Sequence, residues 1–479
     1  MGEQNLKEKA AKGIFWGGVS NGISQVLGLA FGIFLARLLT PADYGMVGML
    51  SIFTLIAGAL QESGFVAALA NKKVVRHEDY NAVFWFSLSM GAVLYAVLFF
   101  CAPLIARYFG IPELTPLARY VFLCFLLSSL GTAHSAFLFR NLMVKQKAMI
   151  TAFTQLGAGV IGVTMAYCGM SYWSVATQAV ANVLLAMLGN WYFSPWRPTF
   201  SFDFSPLREM FRFSCKLLVT NVFNHLNNNL FSFVLGSYYS PSDVGYYNQA
   251  NKWNMMGHSF VSGMIQGVAQ PVLANVRDEK ERQRRVFRKM LRFTAFVSFP
   301  LMLGLSLVAQ ELIVIALTEK WLRSAVLLQM LCVGGAFAPI AVLYSNLLVS
   351  RGKSDVYMWN FVALGVSQVV AMFSLYPYGI ATMVRVYVGI NILWLFVWQY
   401  FVWREIGLSL WDGWKDILPF LCVAVAVMWL TRYVSDFVFS LYGRLALKIL
   451  IAAALYILVM KCSGAVTYKE SVRYLLKRK

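Results

Sequence analysis

Polar side chains recur at helical spacing inside stretches that are otherwise apolar. Asn221, His225 and Asn228 follow an i, i+4, i+7 pattern, so they share one face of a helix. Lys252 and Arg385 place fixed positive charges inside two further apolar stretches. Amides and imidazoles hydrogen-bond with water, and cations hold anions such as pyrophosphate by charge-assisted hydrogen bonds. The pattern favours a wet, positively charged path for an anion.

The first two apolar stretches add to this candidate cavity. Asn21 and Gln25 lie four residues apart, Arg37 follows at the end of the same stretch, and Glu62 ends the next one. We interpret Glu62 as a group for ion pairing or ion coupling. Two alternatives stay open: Asn and Ser side chains also hydrogen-bond between packed helices, each contributing about 0.5–1.5 kcal/mol, and Arg385 could snorkel to the interface.

The elements that position these residues are predicted to be membrane helices. The chain has 479 residues, of which 59% are hydrophobic and 13% charged, and a soluble core cannot bury so much apolar surface. Windows of about 20 apolar residues recur along the chain, each long enough to cross a bilayer. We expect an all-α polytopic membrane protein with about 14 transmembrane helices.

The charges indicate the orientation. With both termini placed in the cytoplasm, the inner segments carry 31 of the 41 Lys and Arg residues, as the positive-inside rule requires. Orientation and anionic inner-leaflet lipids therefore explain most of the net charge of +20, and a nucleic-acid partner is not required. The most basic run, Arg277 to Arg292, is expected to be a solvated, lipid-facing inner loop.

An internal repeat divides the chain. LARLLTPADYG, from Leu35 to Gly45, recurs as LGSYYSPSDVG, from Leu235 to Gly245. In each copy an apolar helix leads into a turn, and the proline and a hydroxyl or carboxylate fit the start of the next helix. The predicted organisation has two parallel six-helix lobes related by a pseudo-two-fold axis along the membrane normal. Its parts are a first lobe at 1–194, a cytoplasmic linker at 195–210, a second lobe at 211–404, two additional helices at 405–462, and a basic cytoplasmic tail at 463–479.

The sequence gives no sign of catalysis. It has no CxxC pair and no His at metal-ligand spacing, and the polar groups inside its apolar stretches include no paired carboxylates and no Ser-His-Asp set. We therefore expect no enzyme activity, no catalytic residue, no metal site and no cofactor.

The stretch from Lys12 to Phe53, KGIFWGGVSNGISQVLGLAFGIFLARLLTPADYGMVGMLSIF, and its weaker echo in the second half resemble the Wzx-type polysaccharide flippases. These are lipopolysaccharide and exopolysaccharide biosynthesis proteins of the multidrug/oligosaccharidyl-lipid/polysaccharide exporter superfamily. The resemblance implies a V-shaped core of twelve helices with two more at the end. It also implies movement of an undecaprenyl-pyrophosphate-linked oligosaccharide, such as an O-antigen, capsule or exopolysaccharide repeat unit, between the leaflets of the bacterial inner membrane.

By the same resemblance, the cavity is cationic and alternately open to each side. A polysaccharide polymerase and chain-length machinery are expected partners, and coupling to a proton or sodium gradient stays open. One rival is a drug/cation antiporter of the same fold, which would favour acidic cavity residues. Another is a membrane glycosyltransferase or polysaccharide polymerase, which would need a catalytic constellation. A third is a scaffold without transport, which would leave the charged stripes unexplained.

Overall fold

The computed structural model describes residues 3–62, 69, 72, 75–203, 205, 207, 231–464 and 467–470. Within these ranges the regular structure is helical, with no strand. The helices are α1 Glu3–Leu38, α2 Pro41–Glu62, α3 His77–Phe109, α4 Leu114–Arg140, α5 Val144–Tyr167, α6 Tyr172–Phe193, α7 231–238, α8 Pro241–Asn275, α9 Lys280–Leu317, α10 Leu322–Ser350, α11 Ser354–Leu375, α12 Ile380–Ile406, α13 Leu410–Ser435 and α14 Leu441–Cys462.

Most of these helices suit a bilayer. In the described part of the chain, 11 helical stretches are long and apolar enough to cross a membrane. α8 is 35 residues long but is not among them, because polar residues interrupt its apolar positions. The predicted class, an all-α polytopic membrane protein, is confirmed.

The chain forms two compact units, Met1–Gly245 and Tyr246–Lys479. In the first unit, the polar connector after α6 packs onto the start of α3. The buried Trp196 donates its indole N–H to His77 Nδ1 over 3.1 Å, and Asn81 Nδ2 donates to the Ser201 carbonyl over 2.7 Å. These hydrogen bonds hold the connector against the start of α3. The domain boundaries proposed from the sequence remain a prediction.

In the second unit, α10, α13 and α14 pack onto α9. It is 38 residues long, about 57 Å at the rise of an α-helix and well beyond a bilayer core of about 30 Å. Phe287 and Phe299 on α9 are fully buried, and the Phe287 ring stacks on Tyr344 of α10 with centroids 5.6 Å apart. α9 therefore contributes buried side chains to the core of the unit.

The expectation of a loop from Arg277 to Arg292 is wrong over most of that run, because α9 already begins at Lys280. Arg288 donates through Nε and Nη2 to the two carboxylate oxygens of Asp416 on α13, at 2.6 and 3.2 Å. Arg284 reaches Asp412 of the same helix at 3.1 Å. Glu, Gln, Lys and Arg are good helix formers, and the acidic partners neutralise one face, so the run extends the helix.

Lys448 is buried within α14. Its Nζ lies 2.7 Å from Glu311 Oε1 of α9 and donates to the Leu307 carbonyl over 3.2 Å. Tyr456, further along α14, donates its hydroxyl to the Phe296 carbonyl of α9 over 2.9 Å. The two C-terminal helices are thus fixed to α9 by ionic and hydrogen-bonded contacts.

Candidate functional site

The two copies of the repeated turn are built by the same hydrogen bonds. Thr40 donates its N–H and Oγ1 to Asp43 Oδ2 over 2.8 and 2.7 Å, and the Asp43 N–H donates back to Thr40 Oγ1 over 3.3 Å. Ser240 and Asp243 repeat all three bonds at 3.3, 2.7 and 3.3 Å. Each set caps the helix that follows. The caps predicted from the sequence are confirmed.

The two turns lie against each other. Pro41 and Gly45 of one turn contact Gly245 and Pro241 of the other, and all four residues belong to the first unit. A Cβ atom on Gly45 would overlap the carbonyl of Pro241 and lie 2.9 Å from its Cα. A Cβ atom on Gly245 would overlap the carbonyl of Pro41 and lie 3.2 Å from its Cα. The contact is reciprocal, and backbones approach this closely only where a residue lacks a Cβ atom.

Aromatic rings extend this contact. Tyr108, at the end of α3, stacks on Phe233 of α7 with centroids 6.1 Å apart and an interplanar angle of 4°. Its hydroxyl donates to Ser237 Oγ over 3.1 Å. We call the whole set the turn contact; it consists of Pro41, Gly45, Tyr108, Phe233, Ser237, Pro241 and Gly245.

The described polar residues of the first predicted stretch lie on the surface of α1. Asn21 and Gln25 are exposed and one turn apart, so they share a face as expected. Arg37 is exposed in the last turn of the same helix. The structure leaves this face of α1 accessible to a polar partner.

Several predicted site residues cannot be placed. Asn221, His225 and Asn228 lie outside the described residues. Glu62 is the last residue of α2, and its side chain also lies outside the description. Their roles in a cavity stay predictions.

In the second unit, α8 presents a polar stripe. Lys252, Ser259 and Gln266 are exposed and seven residues apart, which places them near one line along the helix. Ser262, three residues after Ser259, is buried. Lys252 lies about 17 Å along the axis from the start of α8.

Arg385 is exposed on α12, about 8 Å along the axis from its first residue. Within the described ranges neither cation forms an ion pair. The second unit therefore carries two accessible positive charges, Lys252 on α8 and Arg385 on α12.

The ion pair between Glu311 and Lys448 was not predicted from the sequence. Their side chains are only 3% and 9% exposed, and Glu311 Oε2 is buried with no hydrogen-bond partner in the described part of the chain. Glu311 is a single acid within an apolar stretch, so a search for isolated acids as well as bases would have found it. Because Lys448 neutralises it, we assign this pair to the packing of α14 rather than to the site.

Within the described ranges, no group of three His, Cys, Asp or Glu residues could hold a metal ion. The candidate residues that the structure describes are amides, hydroxyls and cations on long helices. Such groups can bind a polar, negatively charged molecule by hydrogen bonds and charge.

The sequence is similar to a known protein family and to individual named proteins. A family model described as polysaccharide biosynthesis protein matches residues 34–326, more than half of the chain. The chain is 25% identical over 358 residues to the lipopolysaccharide biosynthesis protein WzxC of Escherichia coli (strain K12), covering 74% of this chain and 72% of WzxC. It is 23% identical over 457 residues to the teichuronic acid biosynthesis protein TuaB of Bacillus subtilis (strain 168), covering 94% of both chains.

Among solved structures, the lipid II flippase MurJ in an inward closed conformation matches with a TM-score of 0.78. The match covers 96% of this chain and 100% of that one at 15% identity, which establishes the shared fold. The resemblance found in the stretch from Lys12 to Phe53 is confirmed. The chain belongs to the family of polysaccharide biosynthesis proteins.

Proposed function

We propose that this protein is a flippase that moves a lipid-linked oligosaccharide from one leaflet of the membrane to the other. The observation that carries the proposal is the presence of two accessible cations, Lys252 on α8 and Arg385 on α12, in a chain built of membrane helices. A charge at membrane depth is costly unless it serves a partner or a pathway. The names of the relatives, which concern lipopolysaccharide and teichuronic acid synthesis, support a glycan substrate.

The chemical task is to carry an anionic, sugar-bearing headgroup through a low-dielectric layer while its lipid tail stays in the bilayer. Lys252 and Arg385 neutralise the phosphate groups, which lowers the cost of removing them from water. The exposed hydroxyl and amide of Ser259 and Gln266 replace water around the sugars. Asn21 and Gln25 serve the same purpose on α1.

Transport proceeds by alternating access, with a polar cavity open first to one side and then to the other. The turn contact closes one side while the other is open, because its packing is a discrete contact that is either formed or broken. The substrate is an undecaprenyl-pyrophosphate-linked repeat unit. Direction is set by a proton or sodium gradient or by consumption of the glycan after transport.

The cellular setting follows from this role. The protein lies in the bacterial inner membrane with both termini in the cytoplasm, where the basic ends of its helices meet anionic lipids. It hands its substrate to a polysaccharide polymerase and chain-length machinery. It requires no cofactor of its own and makes or breaks no bond in the glycan.

The drug/cation antiporter is the main competing function for this fold. A cation substrate would be repelled by Lys252 and Arg385, and acids would be needed at their positions. We therefore retain the anionic substrate.

A deletion strain of the native host tests this proposal. Without the protein, lipid-linked repeat units should accumulate in the membrane and the mature surface polysaccharide should disappear, and the wild-type gene should reverse both effects. A deletion strain with normal surface polysaccharide and no accumulated intermediate would overturn the proposal, provided that no second flippase gene is present.

A further inference from the structure

A groove between α5 and α6 has no part in the pathway described above. We propose that it binds one anionic phospholipid from the leaflet on the basic side of the membrane, with an acyl chain in the groove and the phosphate on Lys147. The inference does not depend on the transported substrate. It requires only that the first unit lies in a bilayer.

The groove is apolar and open to the surroundings. Its volume is about 320 Å³, and its lining includes Ile150, Phe153, Leu185 and Leu188. Phe153 is 67% exposed and Leu188 is 51% exposed, so the groove opens onto the surface of its unit. In a membrane that surface meets hydrocarbon chains, and the groove offers one of them contacts on two sides.

A cation stands at one end of the groove, on the same face of α5. Lys147 precedes Ile150 by three residues and Thr154 by seven, so all three lie within one side of the helix. Side chains on a helix lean toward its N-terminus, which carries the Lys147 ammonium away from the apolar floor and toward the membrane surface. The Phe139 ring steadies it, with its centroid 5.1 Å from Nζ.

The charges that α5, α6 and the residues between them carry are of one sign. Lys145 lies two residues from Lys147, and Arg197 follows the last helical residue of α6 by four. The sequence contains no acidic residue between Glu113 and Asp203, so the two helices that form the groove bring no negative charge to this end. Each basic residue near a membrane surface contributes about 1 kcal/mol toward binding anionic lipid.

The length of the groove identifies the occupant. Its lining on α6 runs from Leu185 to Phe193, which is about 12 Å along the helix. One leaflet contributes about half of a hydrocarbon core of roughly 30 Å, so the groove matches a chain that stays within a single leaflet. The longer isoprenoid tail of a lipid-linked glycan would leave most of its length outside. We therefore assign the site to a phospholipid.

Native mass spectrometry of the delipidated, full-length protein tests the assignment, with phosphatidylglycerol as the probe and phosphatidylcholine as the uncharged comparison. We expect one tightly bound phosphatidylglycerol, bound about fivefold more weakly by Lys147→Gln and normally by Lys147→Arg. Lys353→Gln is the matched control, because Lys353 is an exposed lysine immediately before α11 in the second unit. Leu188→Trp, which fills the groove and keeps the charge, should also weaken binding.

Three results would overturn the proposal. Equal affinity for phosphatidylglycerol and phosphatidylcholine would remove the role of charge, and equal losses in Lys147→Gln and Lys353→Gln would show general attraction to a basic surface. Displacement of phosphatidylglycerol by purified lipid-linked oligosaccharide at equal concentration would assign the groove to the substrate tail instead. None of these outcomes bears on whether the protein moves its glycan between leaflets, so the two proposals fail separately.

Discussion

Gly45→Ala directly tests the close approach of the two turns in the turn contact. The new Cβ atom would overlap the Pro241 carbonyl and lie 2.9 Å from the Pro241 Cα. Both obstructing atoms belong to the backbone, so no rotamer change relieves the overlap. Overpacking of this kind costs about 1–3 kcal/mol, which lowers the population of the closed contact about 5- to 150-fold relative to the open one.

Spin labels on Ala42→Cys and Ser242→Cys would report this change, in a background from which the seven native cysteines have been removed. Pulsed electron resonance should show a short distance between the labels in the otherwise unchanged protein and a shift to longer distances in Gly45→Ala. Gly58→Ala is the matched control, since the same substitution in the same helix would meet no atom within 4 Å. Its distance distribution should equal that of the parent.

The reciprocal variant Gly245→Ala provides an independent check, because its Cβ atom would overlap the Pro41 carbonyl. It should shift the distances in the same direction as Gly45→Ala. Identical distributions in Gly45→Ala, Gly245→Ala and the parent would refute the close approach of the two turns, provided that each variant elutes as folded protein.

Three further predictions concern stability. Lys448→Met should lower the free energy of unfolding by about 3–5 kcal/mol because it leaves Glu311 charged and unpaired in a buried site, whereas the double variant with Glu311→Met should recover most of that loss. Thermal unfolding followed by fluorescence-detected gel filtration measures both variants. A double variant as unstable as the single one would contradict the argument. Asp416→Asn should weaken the hold of α9 on α13, so hydrogen exchange at the start of α13 should rise while exchange in α5 stays unchanged. Asp43→Ala should destabilise more than Asp243→Ala in the same thermal assay. Each variant loses the carboxylate that completes the cap, which costs about 0.5–2 kcal/mol, and Asp43 also accepts a hydrogen bond from Ser171. Equal losses would show that this extra bond contributes nothing.

Features that depend on neighbours in the sequence were predictable. The caps at Thr40 and Ser240 involve residues three positions apart, so the repeated motif itself predicts them. The polar face of α1 follows in the same way from the spacing of Asn21 and Gln25. In each case the local geometry of a helix translates spacing into position.

Features that depend on distant partners were not predictable. Lys448 finds Glu311 across 137 positions, and Arg288 finds Asp416 across 128, so nothing in either local pattern shows the pairing. The basic run before Arg292 therefore suggested a loop, although its distant acidic partners support a helix. The reciprocal approach of Gly45 and Gly245 likewise required the folded chain.

The most direct test of the proposed function is movement of the protein's own lipid-linked oligosaccharide across the bilayer of reconstituted vesicles. The fraction of glycan that a membrane-impermeant enzyme or lectin can reach from outside reports the transport. We predict that the wild-type protein equilibrates or concentrates the glycan, that Lys252→Gln and Arg385→Gln each slow this at least about tenfold, and that the exposed control Lys353→Gln does not. No movement by folded wild-type protein, with or without a proton or sodium gradient, would contradict the flippase, and unchanged rates in both Lys252→Gln and Arg385→Gln would contradict the cationic path.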